Sequence, residues 1–189
     1  MIESIRQKMK TLALADAIIE PEWQYRYFSY NSKWSDTEEM ASFRDGCGGE
    51  WFLWLSGAVF AGYKCLSPKD GLMPDFDGVK NQLPNGYSAF FSEPAFSMDL
   101  ATCIWYWHDL KWFKHGLIVE WLIDLEEIIK WTAKDYHTWA IESYERDFDI
   151  KEIEKLFEHE FSEECAKKLN PEIDINELQR ELVEIGINS

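Results

Sequence analysis

The sequence predicts an α+β fold, in which an antiparallel β-sheet of two hairpins plus an N-terminal strand is covered by helices. Two observations support this class. Apolar segments that turn back on themselves dominate the first two thirds of the chain, and helical patterns with capping residues fill the last third. This order disfavours a doubly wound parallel sheet. We therefore expect a single domain over 1–189, with the sheet in 1–123 and an acidic helical part, 124–189, packed on it.

The segment Gly48–Leu66 predicts a central hairpin. Apolar residues occupy both the odd and the even positions, which point to opposite faces of a strand. This pattern is typical of strands covered on both faces. Ser56-Gly57 is a two-residue turn signal, because glycine supplies the positive φ that hairpin turns require. The facing pairs predicted from this turn are Leu55 with Ala58, Leu53 with Phe60, Phe52 with Ala61 and Trp51 with Gly62.

The segments before this hairpin predict three elements. Apolar residues at helical spacing predict a helix over Ile2–Ile19. The aromatic-rich segment Trp23–Ser32 predicts a strand. Ser35 and Glu38 have the spacing of a capping box, which predicts a short helix over Asp36–Phe43.

The segments after the hairpin predict a loop over Ser67–Asp77 and short helices over Gly78–Leu83, capped by Asp77, and Pro84–Phe91. A second hairpin is expected from Ala101–Trp107 and Lys111–His115, turning at residues 108–110. The C-terminal helices are expected to begin at Asp124, Asp149 and Asp174, and the last to end at Gly186.

Charge and composition narrow the class of function. The net charge of −16 opposes binding to nucleic-acid phosphates and favours a basic protein as partner. Residues 124–189 alone carry 19 Asp and Glu against 8 Lys and Arg. No apolar run reaches the ~20 residues of a membrane helix, and charges interrupt Met1–Ile19, so we expect a cytoplasmic protein without a membrane partner. The four dispersed cysteines suit free thiols in a reducing compartment.

No motif for catalysis, metal or cofactor is complete. Asp75-Phe76-Asp77-Gly78 starts like a calcium loop, but Val79 and Gly86 stand where oxygen ligands belong. His159-Glu160 lacks the second histidine of a zinc protease motif, since residue 163 is Glu. We therefore assign no catalytic residue, no metal ligand and no cofactor, and we favour a binding protein over an enzyme without excluding the latter.

The candidate ligand-binding residues are Arg44, Asp45 and Cys47 in a glycine-rich loop, together with His108. The loop N–H groups and Arg44 can hold an anion or a carboxylate. Cys47 and His108 can act as nucleophile and base only if the fold brings them within about 3 Å. The alternative is a purely structural loop, in which the glycines allow the backbone to turn and Arg44 and Asp45 form a local salt bridge. The aromatic set Trp105, Tyr106, Trp107, Trp112 and Phe113 lines either a groove or the core.

Several phrases occur together along the chain: NSKW from Asn31, RDG from Arg44 leading into GEWF, EPAFSM from Glu93, and LNPE from Leu169 followed by EIG. In order and spacing they resemble a family of uncharacterised bacterial cytosolic proteins of similar length. The resemblance implies a bacterial source and one compact unit, and it transfers no activity or functional residue. Cys47 stands where relatives carry Ser, which disfavours a cysteine nucleophile.

The function most consistent with these features is a non-enzymatic protein-interaction module that presents an acidic surface, as immunity proteins of bacteria do. The alternative is a small-molecule-binding protein or enzyme with a site at Arg44–Gly49 near His108. We expect a monomer or a weak homodimer.

Overall fold

The computed structural model describes residues 1–66, 74–118 and 122–187, and it confirms the α+β class. The helices and strands are α1 (Ile2–Ile19), β1 (Phe28–Asn31), β2 (Glu38–Arg44), β3 (Glu50–Ser56), β4 (Phe60–Leu66), α2 (Phe76–Gln82), α3 (Ser88–Ser92), β5 (Cys103–His108), β6 (Lys111–Gly116), α4 (Leu125–Ile128), α5 (Ala133–Tyr144), α6 (Ile150–Phe157), α7 (Glu163–Leu169) and α8 (Ile175–Ile185).

The six strands form one sheet in sequence order, and every neighbouring pair is antiparallel. The second hairpin is confirmed, and its turn residues Asp109 and Leu110 both have positive φ. The first hairpin is confirmed as an element, but its predicted register is wrong. Ser56 pairs with Phe60, so the loop consists of the three residues Gly57–Val59. Gly62 therefore faces Trp54 and not Trp51.

The short helix predicted over Asp36–Phe43 is wrong, because this segment is strand β2. It pairs with β1 on one side and β3 on the other. Ser35 and Glu38 do interact, through a side-chain hydrogen bond of 3.0 Å and a backbone bond from Ser35 N–H to Glu38 O. They close a turn that leads into the strand. The local motif is therefore real, but burial between two strands decides the conformation that follows it.

Other boundaries also differ from the prediction. The strand predicted over Trp23–Ser32 divides into a 3-10 turn at Trp23–Tyr25 and the shorter β1. Asp75, not Asp77, caps α2. The helix predicted from Pro84 begins only at Ser88, because Gly86 adopts a φ of +107° that ends helical geometry. The predicted loop Ser67–Asp77 lies mostly outside the described residues.

Helices cover both faces of the sheet, as the apolar pattern of β3 and β4 predicts. One face packs against α2, α3 and the 3-10 turns between α3 and β5, through a cluster that includes Phe52, Trp54 and Phe90. The other face packs against α1 and the C-terminal helices. Trp105 and Trp107 are buried in the second of these clusters and Tyr106 in the first, and Trp112 and Phe113 pack partly buried against them, so this aromatic set belongs to the core.

The C-terminal helices contact α1 directly. Lys8 donates a hydrogen bond to Trp131 O, and the Asn170 amide donates to Ile18 O at 2.9 Å. Asp124, Asp149 and Asp174 are N-caps as predicted, and Gly186 ends α8 with a φ of +76°. No described helix has both the length and the apolar character needed to cross a bilayer.

Candidate functional site

The glycine-rich loop after β2 is organised by the carboxylate of Asp45. Its Oδ1 accepts hydrogen bonds from the N–H groups of Cys47, at 2.7 Å, and Gly49, at 2.8 Å. The Asp45 N–H donates to Gly49 O, closing the loop at its base. Two of the loop N–H groups that the sequence offers to an anion are therefore already bound to a carboxylate of the chain itself. The loop alone is not a ready-made anion site.

Arg44 remains available. Its guanidinium lies over the Trp23 ring, 4.3 Å from the centroid. Within residues 1–66, 74–118 and 122–187, this guanidinium has no carboxylate within 4 Å and donates no hydrogen bond. The expected Arg44–Asp45 salt bridge is therefore absent, since Asp45 turns into its own loop.

His108 does not join this group. In the strand register Arg44 of β2 lies opposite Glu50 of β3, and Glu50 lies opposite Leu66 of β4. All three residues are therefore at one end of the sheet. The register of β4 with β5 places His108 beside Phe60, at the opposite end. Phe60 and Leu66 are six positions apart along β4, which corresponds to about 20 Å. The conceivable Cys47–His108 pair is therefore not formed, and His108 instead lies 3.6 Å from Asp109.

A groove of about 620 Å³ opens beside Arg44, and sequence reasoning did not find it. Its walls come from three separated segments: the 3-10 turn before β1, the end of β2, and the end of α5. We call it the Arg44 groove; its lining residues are Glu20, Gln24, Tyr25, Arg26, Tyr27, Arg44, Gly46, Ser143, Tyr144, Glu145 and Arg146. Because these segments are distant along the chain, no local pattern could have predicted that they meet.

The floor of the Arg44 groove is fixed by a buried carboxylate that the sequence analysis missed. Asp16 of α1 is fully buried and accepts hydrogen bonds from the N–H groups of Tyr27, at 3.0 Å, and Phe28, at 2.7 Å. Its other oxygen accepts from the Tyr136 hydroxyl at 2.6 Å. Burial raises the pKa of Asp16 to about 6, although these hydrogen bonds oppose the shift. The available signal was one Asp inside the apolar run LALADAII.

The acidic part of the chain forms a continuous set of helices whose carboxylates mostly point to solvent. We call α4–α8 with their connections the acidic helical layer. Within the part of the chain that the structure describes, Glu164 alone among its exposed carboxylates has a cation within 4 Å. The exposed carboxylates are Glu127, Asp135, Glu142, Glu145, Asp147, Asp149, Glu154, Glu158, Glu160, Glu163, Glu164, Glu172, Asp174, Glu177 and Glu184.

One cleft in this layer combines carboxylates with an aromatic wall. It has a volume of about 560 Å³ and is lined by Asp124, Glu126, Glu127, Lys130, Trp131 and Asp135. Glu126 is paired with Lys114 of β6, whereas Glu127 and Asp135 are exposed. Trp131 is only 9% exposed, so the cleft offers two carboxylates beside the edge of an indole ring, a combination that suits a lysine or arginine side chain.

The buried Glu152, in contrast to the exposed carboxylates of the layer, is paired with lysines. Its carboxylate accepts hydrogen bonds from Lys155, and Lys168 lies 3.4 Å away. The hydrogen bond from Lys155 lowers the pKa of Glu152. Glu152 is thus neutralised within the fold, while most of its exposed neighbours are not. Within the described ranges, no three His, Cys, Asp or Glu side chains converge as metal ligands.

Comparison with protein-family models, with curated proteins and with solved structures finds no match. The resemblance to uncharacterised bacterial proteins therefore stays a prediction.

Proposed function

We propose that this protein is a non-enzymatic interaction module that binds a basic protein through the acidic helical layer. The observation that carries the proposal is the set of exposed carboxylates without cations around the cleft at Trp131 and along α5–α8. Like charges held close together repel one another and oppose the compact state. A basic partner relieves this repulsion and replaces the missing counter-charges.

The cleft at Trp131 supplies a point of attachment within that surface. Interfaces gain most of their binding energy from a few side chains that are fully desolvated in pockets. A lysine or arginine that enters between Glu127 and Asp135 contacts two carboxylates and the edge of the indole ring. The rest of the layer then contributes mainly to the rate of association and to its dependence on salt.

The test is affinity capture of the tagged protein from cell lysate at about 50 mM and about 500 mM salt, which shortens the Debye length from over ~10 Å to about 4 Å. Wild type is compared with the double variant Glu127→Gln/Asp135→Asn, since Glu126 is already paired with Lys114; the amide introduced by Asp135→Asn keeps an oxygen that can accept from the Thr132 N–H. The matched control is Asp36→Asn/Asp99→Asn, which removes the same charge from exposed positions outside the layer.

The expected result is one stoichiometric basic protein, retained by wild type and by the control, weakened by the double variant and lost at high salt. A partner whose retention is the same in all three proteins and at both salts would contradict binding through this layer.

A further inference from the structure

The Arg44 groove has the properties of a second binding site, and they do not depend on the acidic helical layer binding a partner. Its volume of about 620 Å³ lies within the ~300–1,000 Å³ of small-molecule sites. Two exposed aromatic side chains of the 3-10 turn form an aromatic rim beside it: Tyr25, which lines the groove, is 62% exposed, and Trp23, which contacts Arg44, is 50% exposed. Large aromatic surfaces left in water cost free energy unless something covers them.

Three arginines line or border the groove, and the structure distinguishes their roles. Arg26 is buried, and its guanidinium is fully used within the fold. It donates to Glu20 O and Pro21 O and forms an ion pair of 2.6 Å with Glu181. Arg146 donates to Ile19 O at 2.9 Å and lies 3.4 Å from Glu20. Two of the three guanidinium groups are thus used to hold α1, β1 and α5 together around the groove.

Arg44 is the lining arginine whose guanidinium has no hydrogen-bond or ion-pair partner within the described residues, whereas Arg146 is held through its Nη2. The Arg44 guanidinium stacks over Trp23, with Cζ 4.3 Å from the ring centroid, and its N–H donors are unused within the described residues. A guanidinium presents paired donors that match the two oxygens of a carboxylate or a phosphate. The same stack places an indole beside the position that such an oxyanion takes. A planar ring attached to the oxyanion can then pack on Trp23 or Tyr25.

The surrounding charge selects among oxyanions. Glu145, which has no cation within 4 Å among the described residues, lines the same groove, and the whole chain carries a net charge of −16; Glu20, the other lining carboxylate, lies 3.4 Å from Arg146. A phosphate dianion meets more repulsion here than a singly charged carboxylate. We propose that the Arg44 groove binds the carboxylate of a small aromatic acid, with the oxyanion on Arg44 and the ring on the aromatic rim.

The experiment is a titration of ¹⁵N-labelled protein followed by NMR. The probes are benzoate, phenyl phosphate and benzyl alcohol, which share a ring and differ in charge. Benzoate is expected to shift the signals of the Trp23 indole N–H and the Gly46 amide saturably. Phenyl phosphate is expected to bind more weakly, and benzyl alcohol to produce no saturable shift at these positions.

Two variants of Arg44 connect the response to its guanidinium. Arg44→Gln should weaken benzoate binding about tenfold, because it removes a charged pair of donors. Arg44→Lys should also weaken it, because an ammonium keeps the charge but loses the planar pair of donors. Arg180→Gln is the matched control, since Arg180 is exposed on α8 away from this groove, and it should bind as wild type does.

Several outcomes would overturn the proposal. Benzoate that gives no localised, saturable shift would rule out an aromatic carboxylate as the ligand, and so would binding to both Arg44 variants as tight as to wild type. Equal binding of benzyl alcohol would show that the ring alone is recognised. Tighter binding of phenyl phosphate would replace a carboxylate with a phosphate as the ligand.

Discussion

The buried carboxylate of Asp16 leads to a prediction about pH and stability. In the folded protein burial raises its pKa to about 6, from an ordinary value of 3.8 in the unfolded chain. The folded state therefore binds this proton more tightly than the unfolded state does. Its contribution to stability is fully present below pH 3.8 and is lost as the pH rises through about 6.

The size of the effect follows from the two pKa values. Each pKa unit corresponds to about 1.4 kcal/mol, so the complete loss is about 3 kcal/mol. Part of it is already lost at pH 4.5, where the unfolded carboxyl is mostly ionised. Between pH 4.5 and pH 7.5 we expect the contribution of Asp16 to the free energy of unfolding to fall by about 2 kcal/mol.

The Asp16→Asn variant isolates this effect. The amide oxygen can still accept from the N–H groups of Tyr27 and Phe28, and the amide N–H₂ can donate to the Tyr136 hydroxyl oxygen. Urea unfolding of both proteins gives the difference in free energy of unfolding at each pH, which cancels the titration of the other groups. Wild type should lose about 2 kcal/mol relative to Asp16→Asn from pH 4.5 to pH 7.5. A difference that stays constant, or that changes in the opposite direction, would refute the reasoning.

Three further predictions concern packing, thiols and the loop. Gly62→Ala should lower the free energy of unfolding by about 1–3 kcal/mol, because a Cβ there lies 2.7 Å from the buried Phe90 ring; an unchanged urea midpoint would contradict this. A disulfide reagent should label only Cys47 of the four cysteines in the native protein, since the others are buried and burial raises the pKa of Cys65 to about 11; a second fast-reacting thiol would disagree. Asp45→Ala should cost about 1–3 kcal/mol by leaving the buried Gly49 N–H without its acceptor, and Asp45→Asn should cost less; equal stability of all three proteins in thermal unfolding would show that this carboxylate does not hold the loop.

The fold was predictable where the determining interactions are local. Asp124, Asp149 and Asp174 start helices because each side chain binds N–H groups only two or three residues ahead. The turn at Asp109-Leu110 similarly follows from the strands on each side of it. The α+β class follows from hairpins that pair locally, whereas the order of the six strands did not follow from the sequence, because β2 was predicted as a helix.

The errors arose where tertiary contacts outweigh local preference. The Ser35–Glu38 signature occurs both at a helix start and at a turn. In this fold the turn is stabilised because β2 pairs with a strand on each side. The register of the first hairpin depends on a loop of three residues, which the two-residue signal Ser56-Gly57 did not reveal.

The candidate site was predictable only in part. The sequence named Arg44 as a candidate for holding an anion, with a salt bridge to Asp45 as the alternative, and the structure places Arg44 at a groove. Its stack on Trp23 and the opposite wall from α5 depend on how distant segments meet. The same holds for Asp16, whose partners lie 11 and 120 residues away.

The most direct test of the central claim is the salt dependence of partner capture by wild type and by Glu127→Gln/Asp135→Asn. Binding through the acidic helical layer predicts a basic protein that is retained at about 50 mM salt, lost at about 500 mM, and weakened by the double variant but not by Asp36→Asn/Asp99→Asn. A partner that is neutral or acidic, or one that survives high salt and the double variant alike, would contradict the claim.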